Sequence, residues 1–385
     1  MRKALRVLTV IGARPQIIKA AAISRAIASM GRGRMVETIL HTGQHYDANM
    51  SQVFFDELGV PRPGISLGVG GGEPGERTAH MIEGIGKVLA RGEHDLVLLF
   101  GDTDSTLAGA VAAAKGHVPI AHVEAGLRSF NKAMPEEINR IVCDHCSTWL
   151  FCPTATAVEN LMREGFPQNA QPRPDPDRPA VHMTGDVMYD NSMHFAKLAG
   201  DRSVILDRLG VARSEYALVT VHRNGNTDAP EPLNAIFSAL LEVRRKHGIP
   251  LVMPVHPRLR KCMDSLLHAS VKDAIEHDGG FHLVPPVGFL DMVDLERYAR
   301  LVITDSGGVQ KEAFFFGKPG VILREETEWV ELLQLGQATL AGSDPERILK
   351  QVGHFLQHGV PACPPLYGDG HAAERIVDLL ANAAG

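Results

Sequence analysis

Short runs of β-branched and aliphatic residues, each followed by Gly or a polar turn and then an amphipathic stretch, recur along the whole chain. In the first half they predict strands at Leu5–Ile11, Met35–His41, Leu96–Phe100, Val118–His122 and Trp149–Cys152, with helices between them. The second half repeats the rhythm at Tyr216–Val221, Leu251–Val255, Phe281–Val284, Leu301–Thr304 and Gly320–Leu323. Near-continuous apolar strands alternating with helices indicate parallel sheets covered on both faces. Right-handed crossovers then make each half a Rossmann-like sheet. The expected fold class is α/β, with two Rossmann-like doubly wound parallel-sheet domains facing a central cleft.

The segment Pro167–Pro179 holds five prolines and little that could be buried, so it reads as an exposed connection. The first domain is expected to finish at a strand Val181–Thr184, and a helix starting near Asp186 leads into the second. This gives an N-terminal domain 1–186 and a C-terminal domain 187–370. A last helix, within 371–385 after the Gly368-Asp369-Gly370 break, is expected to pack back on the first domain. A length of 385 residues agrees with two or three domains of ordinary size.

Composition narrows the partners. Lys plus Arg number 39 against 45 Asp plus Glu, a formal net charge of −6. That balance argues against a nucleic acid or an anionic membrane surface as partner, since both call for a basic stripe. No apolar run approaches the roughly 18 residues of a membrane helix. The N-terminal run Leu5–Ile11 ends in Gly12-Ala13-Arg14-Pro15 instead of a cleavage site, so it reads as a buried strand. Five cysteines are too few, and odd in number, for a disulfide framework, which suits a cytoplasmic setting.

Some patterns imitate chemistry. Gly70-x-Gly72-x-x-Gly75 spells the dinucleotide fingerprint, yet no convincing strand runs into it and Asp95 opens the strand Leu96–Phe100. Cys143-Asp144-His145-Cys146 resembles half a zinc site but has no second ligand pair at zinc spacing, so structural thiols are the expectation and no metal is assigned. His41 and His45 fall across a strand-to-loop junction, where helical metal geometry is not expected.

The informative polar residues sit just after strands, where ligands of such sheets bind. Gly12-Ala13-Arg14-Pro15-Gln16-Ile17-Ile18-Lys19 opens a helix with Pro near its first position, and Arg14 and Lys19 add two cations at an anion-attracting helix start. Gly101-Asp102-Thr103-Asp104-Ser105-Thr106 follows the strand Leu96–Phe100; one of its residues must cap the next helix, but capping does not need Asp102 as well. His122-Val123-Glu124-Ala125-Gly126-Leu127-Arg128 and Met134-Pro135-Glu136-Glu137-Ile138-Asn139-Arg140 follow. Asp102, Glu124 and Glu136 are thereby expected to converge at one sheet edge. Crowded carboxylates have pKa values driven apart, which suits one to take a proton while another gives one.

The second half carries the complement. His222-Arg223, His256-Pro257-Arg258 and Asp305-Ser306-Gly307-Gly308-Val309-Gln310-Lys311-Glu312 each follow a strand. Ser306-Gly307-Gly308 at a helix start offers bare N–H groups to a phosphate, and Glu312 one turn further on is placed to accept from ribose hydroxyls. Arg324-Glu325-Glu326-Thr327-Glu328 supplies another cation. Cations and donor-rich helix starts in both halves imply a diphosphate, and a nucleotide-sugar is the natural ligand.

These motifs, in this order and over nearly the whole chain, resemble the non-hydrolysing UDP-N-acetylglucosamine 2-epimerases, which share the layout of GT-B glycosyltransferases. The resemblance implies loss of UDP from carbon 1 as carbon 2 loses its proton, giving a 2-acetamidoglucal, and return of UDP after protonation on the opposite face. It implies Asp102, Glu124 and Glu136 in proton transfer, with His222 a further catalytic candidate. It implies Arg14, Lys19, Arg128, His256, Ser306, Gly307, Gly308, Glu312 and Arg324 in holding the UDP-sugar. No cofactor is called for, and a homodimer is expected. UDP-GlcNAc to UDP-ManNAc is the default pair.

There are departures. The chain between Glu124 and Glu136 is two residues shorter than in the best-known members, which bears on the sugar pocket. Thr42-Gly43-Gln44-His45-Tyr46 lacks the usual Arg after the His, in a region linked to substrate activation. Trp329-Val330 replaces Arg-Pro. The stretches His45–Met50, Glu312–Pro319 and Glu328–Leu332 resemble a surface-polysaccharide branch that includes epimerases of UDP-2,3-diacetamido-2,3-dideoxyglucuronate. That substrate's carboxylate would want one more cation, from Arg128, Lys132 or Arg223. From other classes, a GT-B glycosyltransferase would share fold and UDP site without needing three carboxylates, and a non-catalytic nucleotide-sugar sensor is the remaining reading.

Overall fold

A computed structural model describes residues 4–31, 33–44, 59–167 and 174–383. The chain divides into two compact units, Met1–Asn191 together with Pro365–Gly385, and Ser192–Pro364.

The first unit is built on a seven-stranded sheet of β1 (Leu5–Ile11), β2 (Met35–His41), β3 (Ile65–Ser66), β4 (Leu96–Phe100), β5 (Ile120–Val123), β6 (Trp149–Cys152) and β7 (Ala180–Met183). Its order is β3-β2-β1-β4-β5-β6-β7 and every pairing is parallel. The second unit carries β8 (Ala217–Thr220), β9 (Leu251–Pro254), β10 (Phe281–Val284), β11 (Leu301–Thr304), β12 (Gly320–Ile322) and β13 (Ala338–Leu340). Their order is β10-β9-β8-β11-β12-β13, again all parallel. Each sheet reverses direction once, between β1 and β4 and between β8 and β11, which is where doubly wound sheets open a crevice at the strands' carboxyl ends.

Side-chain alternation divides the apolar residues between the two faces of each sheet. In the second unit Ala217, Val219, Leu301 and Ile303 join one buried cluster, while Tyr216, Leu218 and Val302 join another on the opposite face. In the first unit Leu8, Val10, Val97 and Leu99 pack with Met81 and Ile85 of the helix Pro74–Leu89 and Ala108 and Ala112 of the helix Asp104–Lys115.

Local chemistry shifts some elements from their expected places. The strand expected at Val118–His122 begins at Ile120, because Pro119 has no N–H and only lends its carbonyl to Val97 N (2.9 Å). His117 just before it sits at φ 53°. The strand expected at Val181–Thr184 runs from Ala180 to Met183. β3 and β13, two and three residues long, carry too little pattern to announce themselves. Of the fingerprint-like stretch, Gly70 and Gly72 lie in the loop between β3 and the helix Pro74–Leu89, with Gly71 and Gly72 at φ 76° and 78°, and Gly75 lies in that helix's first turn.

The units part within the helix Val187–Arg202, at Asn191. Its first turn is bound into the first unit: Asn191 Nδ2 donates to Ile18 O (2.5 Å) and Asn191 Oδ1 accepts from Arg25 (2.6 Å). Likewise the chain rejoins the first unit at Pro365, ahead of residue 371, since the carbonyl of buried Tyr367 accepts from Asp186 N (3.0 Å). The last helix, Ala372–Ala383, packs on the helix Arg14–Met30.

Asp190 caps that last helix, accepting from Ala372 N (3.2 Å) and Ala373 N (2.7 Å). Asp190→Ala is expected to cost about 1–2 kcal/mol in denaturant unfolding, as other lost helix caps do. It should also speed amide exchange across Ala372–Ala383; unchanged exchange there would refute the capping role.

Candidate active site

In the first unit the residues after β1, β4 and β5 interlock. The helix Arg14–Met30 has Ala13 at its N-cap, which cannot cap, and Gln16 replaces it. Gln16 Oε1 accepts from Gly12 N (2.8 Å) and Ala13 N (3.2 Å), while its Nε2 donates to Phe100 O (3.2 Å) and Thr106 Oγ1 (3.0 Å). One buried amide thus joins the ends of β1 and β4. Arg14, the first residue of the helix, is exposed. Lys19, one turn further in, is largely buried and pairs with Glu124.

Glu124 takes φ 72°, a left-handed conformation that few non-glycine residues accept. A Cβ on Gly101, itself at φ 58°, would lie 2.9 Å from Lys19 Nζ and 3.1 Å from Glu124 Oε2. The Lys19–Glu124 pair therefore packs directly against the residue that precedes Asp102.

Thr103 is the cap of the next helix, so Asp102 is free of that duty. It pairs instead with Arg140, and its carbonyl accepts from Asn139 Nδ2 (3.0 Å). Arg140 also reaches Glu137 (3.1 Å). Glu136 stands exposed in the first turn of the helix Pro135–Cys146, one turn before Arg140 and on the same side of the helix. Its neighbour Glu137 is buried and gathers Ser129 N (2.8 Å), Ser129 Oγ (3.0 Å) and Phe130 N (2.9 Å), anchoring the loop that the shortened segment makes.

Beneath this layer lies a buried ionic network. Asp144 Oδ1 meets His122 Nδ1 (2.7 Å), and Asp144 Oδ2 accepts from Gly126 N (3.1 Å) and Arg128 Nη1 (2.7 Å). His122 Nε2 faces Gly101 O at 2.8 Å. Carbonyl and carboxylate oxygens only accept, so both ring nitrogens must carry protons and His122 is an imidazolium. Burial alone would strip that proton; the adjoining Cys143 sulfur and the Asp144 carboxylate outweigh it and hold the pKa up at about 10. Burial would likewise raise Asp144, but hydrogen bonding from His122 and the Arg128 charge keep it below the usual carboxylate range.

Arg128, expected among the residues that hold the UDP-sugar, is drawn into this network. Its guanidinium is buried, donating to Leu127 O (2.7 Å) and Asp144, and on its other edge to Glu164 (2.7 and 2.6 Å). Of the other cations considered for a sugar carboxylate, Lys132 is exposed on the Glu137-anchored loop.

In the second unit the organiser is Asp305, fully buried at the end of β11. It accepts from His222 N (3.1 Å), Arg223 N (3.0 Å) and Asn226 Nδ2 (3.0 Å), and its Oδ1 lies 3.1 Å from His222 Nδ1. Burial pushes its pKa up, but these donors, His222 first, bring it below the ordinary value. The His222 ring is left about half exposed. Arg258 crosses to the same loop, donating to His222 O (3.4 Å) and Asn224 Oδ1 (2.6 Å). His256 caps its own helix through Nδ1, which accepts from Arg258 N (3.3 Å).

Ser306 caps the helix Gly307–Phe315, accepting from Val309 N (3.5 Å). The two glycines differ in what lies above them. A Cβ on Gly307 would strike Glu328, whereas one on Gly308 would find nothing nearer than 3.9 Å, Glu312 Oε2 among those atoms. Arg324 is buried and spent on Glu328 (2.9 Å). Trp329, in place of Arg, donates from Nε1 to Gly307 O (3.0 Å) and carries Lys311 Nζ over its ring at 4.1 Å.

The structure thus brings Asp102, Lys19 and Glu124 together around Gly101, and Ser306, Gly307, Gly308 and Glu312 around one helix start. Gln16, Glu137, Asn139, Asp144 and Asp305 had been given no role. One signal for them was present: Glu137, Arg140 and Asp144 are spaced i, i+3, i+7 and line a single helix face. Among the described residues no group of three His, Cys, Asp or Glu side chains is arranged to hold a metal ion, and no helix is long and apolar enough to cross a membrane. The motif residues His45–Met50 lie outside the described residues.

Against known proteins, the profile of a family described as UDP-N-acetylglucosamine 2-epimerase matches residues 29–381. A Pseudomonas aeruginosa protein named UDP-2,3-diacetamido-2,3-dideoxy-D-glucuronate 2-epimerase is 44% identical over 98% of this chain and 100% of its own length. A Methanococcus maripaludis UDP-N-acetylglucosamine 2-epimerase is 36% identical over 96% of this chain and 97% of its own. Among solved structures, the Methanocaldococcus jannaschii UDP-GlcNAc 2-epimerase in complex with UDP-GlcNAc and UDP superposes with a TM-score of 0.84 at 35% identity, over 98% of this chain and 100% of that one. The fold class is accordingly two parallel-sheet α/β domains of the GT-B type.

The His122–Asp144 pair makes stability depend on pH. Unfolded histidine titrates near 6.5, so the native state keeps a proton that the unfolded state gives up as pH rises. The stabilisation from His122 is complete below about pH 6.5 and is lost as pH climbs to about 10. Asp144 acts in the opposite sense: its contribution is full above the ordinary carboxylate range and is lost as pH falls through its depressed value. The unfolding temperature should therefore drop between pH 7 and 10, and drop less steeply in His122→Gln. Parallel alkaline slopes in the two proteins would mean that the imidazole is neutral.

Proposed function

The chain belongs to the UDP-N-acetylglucosamine 2-epimerase family, and from that premise we propose that it inverts carbon 2 of a UDP-linked 2-acetamido sugar by elimination and re-addition of UDP. A carboxylate removes the carbon 2 proton while the bond from carbon 1 to the UDP oxygen breaks, leaving a 2-acetamidoglucal and UDP. A proton then returns to carbon 2 on the opposite face, and the UDP oxygen re-forms its bond to carbon 1. Protons and electrons balance without an oxidant or reductant.

The observation that carries this reading is the pairing at Gly101. Two carboxylates, each with its own cation, meet at one short loop: Glu124 with Lys19, and Asp102 with Arg140. A proton shuttle needs carboxylates held in place until a substrate proton arrives, and each cation orients its partner. Glu136 is assigned the third proton-transfer role and His222 a supporting one. The second unit is assigned the grip on UDP, through the space left over Gly308, Ser306 and Gly307 beside it, and Glu312 for the ribose. His256 and Arg324 support that unit, and Arg14 adds a cation from the first. A cytoplasmic homodimer completes the reading; the five cysteines are free thiols, as a reducing compartment requires.

The default pair is UDP-GlcNAc and UDP-ManNAc. A second reading, UDP-2,3-diacetamido-2,3-dideoxyglucuronate as substrate, is favoured by the 44% identical relative of that name. With Arg128 buried, Lys132 and Arg223 remain to meet the extra carboxylate. A GT-B glycosyltransferase would instead need an acceptor and no exchange at carbon 2.

Incubation in heavy water with each UDP-sugar separates these readings. Deuterium at carbon 2 with both epimers present is expected, and the sugar with the higher kcat/KM names the substrate. Asp102→Asn, Glu124→Gln and Glu136→Gln should each fold and lose about 10² or more in exchange rate. No exchange with either sugar would overturn the epimerase reading; wild-type exchange in all three variants would remove these carboxylates from it.

A further inference from the structure

We propose that the buried His122–Asp144 pair is the positioning device of the proton-transfer carboxylates, holding the Gly101-Asp102 and Glu124-Gly126 loops in register from beneath. The inference rests on the epimerase reading for what is positioned, and on geometry alone for how.

Asp144 has two arms. Through Oδ1 it holds His122, whose Nε2 in turn holds the carbonyl of Gly101 (2.8 Å). That carbonyl belongs to the peptide joining Gly101 to Asp102, so fixing it fixes the plane from which Asp102 departs. Asn139 then holds the carbonyl on the other side of Asp102 at 3.0 Å, and Arg140 holds its side chain. Through Oδ2 the same carboxylate takes Gly126 N (3.1 Å), two residues beyond Glu124.

The second arm has strain to contain. Glu124 is left-handed, and Gly126 at φ 79° leaves no room for a side chain, since a Cβ there would strike Ala157 O. Left-handed non-glycine residues persist only where the surroundings over-determine them. Here Glu124 N and Ala125 N both donate to Phe151 O (3.1 Å each), and Asp144 secures the far end of the turn.

The charge of His122 is essential to the device. A neutral imidazole could donate to Gly101 O or to Asp144, but not to both. The groups facing the pair are Asp144 and Cys143 from the helix Pro135–Cys146, Cys152 from β6, and Arg128, which passes the contact on to Glu164. Arg128 and the imidazolium together place two positive charges next to one Asp144 carboxylate, beneath the loops that carry Asp102 and Glu124.

Two measurements test this. In wild-type protein labelled with ¹⁵N-histidine, the His122 resonances, identified by their loss in His122→Gln, should show both ring nitrogens protonated from pH 6 to about 9; a neutral ring below pH 8 overturns the proposal. In the exchange assay, His122→Gln and Asp144→Asn should lower kcat by ~10²-fold, the cost of a misplaced catalytic group, with KM within about threefold. Glu164→Gln, which loosens the outer end of Arg128 and an exposed contact with His145 (3.4 Å), should leave kcat unchanged. Wild-type kcat in His122→Gln, or a loss that appears in KM and not in kcat, overturns the positioning role. If wild-type protein exchanges no UDP-sugar, the epimerase reading fails while the NMR measurement still decides the state of the pair.

Discussion

A carboxylate with no access to water sets the terms for the first unit. Burying Asp144 costs several kcal/mol unless its oxygens find donors, and more if any donor is lost. It finds three: an imidazolium, a guanidinium and a backbone amide. Each donor comes from β5 or from the loop that follows it, and the imidazolium's second proton reaches back to the end of β4. Desolvation therefore does what directional contacts between loops cannot do alone. It makes any other arrangement of the β4 and β5 loops costly, because moving either would leave a charge buried and unpaired. Asp305 repeats the solution in the second unit, where a fully buried carboxylate takes two backbone amides and an Asn side chain from the loop after β8.

Both devices stand where a doubly wound sheet needs them. At the switch point two neighbouring strands send their helices to opposite faces, so the loops on either side are not joined by a common element. Something must span the gap, and apolar packing is ill suited because the crevice is polar. Gln16 spans it between β1 and β4 through a single amide with four hydrogen-bond contacts. Asp305 spans it between β8 and β11. In each unit the residues assigned to substrate stand on loops whose positions are set by polar groups buried one layer below.

The strand pattern made the architecture legible because it depends on a property every residue displays, its hydrophobicity at a given spacing. β1, β2, β4, β6, β10 and β11 fall at the residues predicted. Failures came where a single atom decides: Pro119 lacks an N–H, and the edge strands β3 and β13 are too short to hold a pattern. Positions of the charged residues were legible for the same reason, since they follow strands. Their partners were not. Arg128 and Arg324 lie in the expected motifs yet are spent on Glu164, Asp144 and Glu328, and nothing in residue type separates a cation that waits for a ligand from one already paired. Glu136 and Glu137 are adjacent and alike, but a helix turns the first to solvent and the second into the protein. Both lie one turn from Arg140, and it is the seven-residue spacing from the buried Asp144 that marks Glu137 as the inward one.

The unequal burial of the carboxylates has a mechanistic consequence under an elimination and re-addition. The proton placed on carbon 2 comes from a different face than the one removed, so the group that received a proton and the group that gave one must both be reset before the next turnover. Resetting requires exchange with water. Glu124 is only 7% exposed and covered by Lys19. The Asp102 side chain is 32% exposed and Glu136 stands in solvent at the first turn of its helix. Water therefore reaches these two side chains more readily than it reaches Glu124. The division follows from packing: Lys19 and the left-handed turn at Glu124 close one carboxylate in, and Arg140, approaching Asp102 from the side of the helix, leaves the other open.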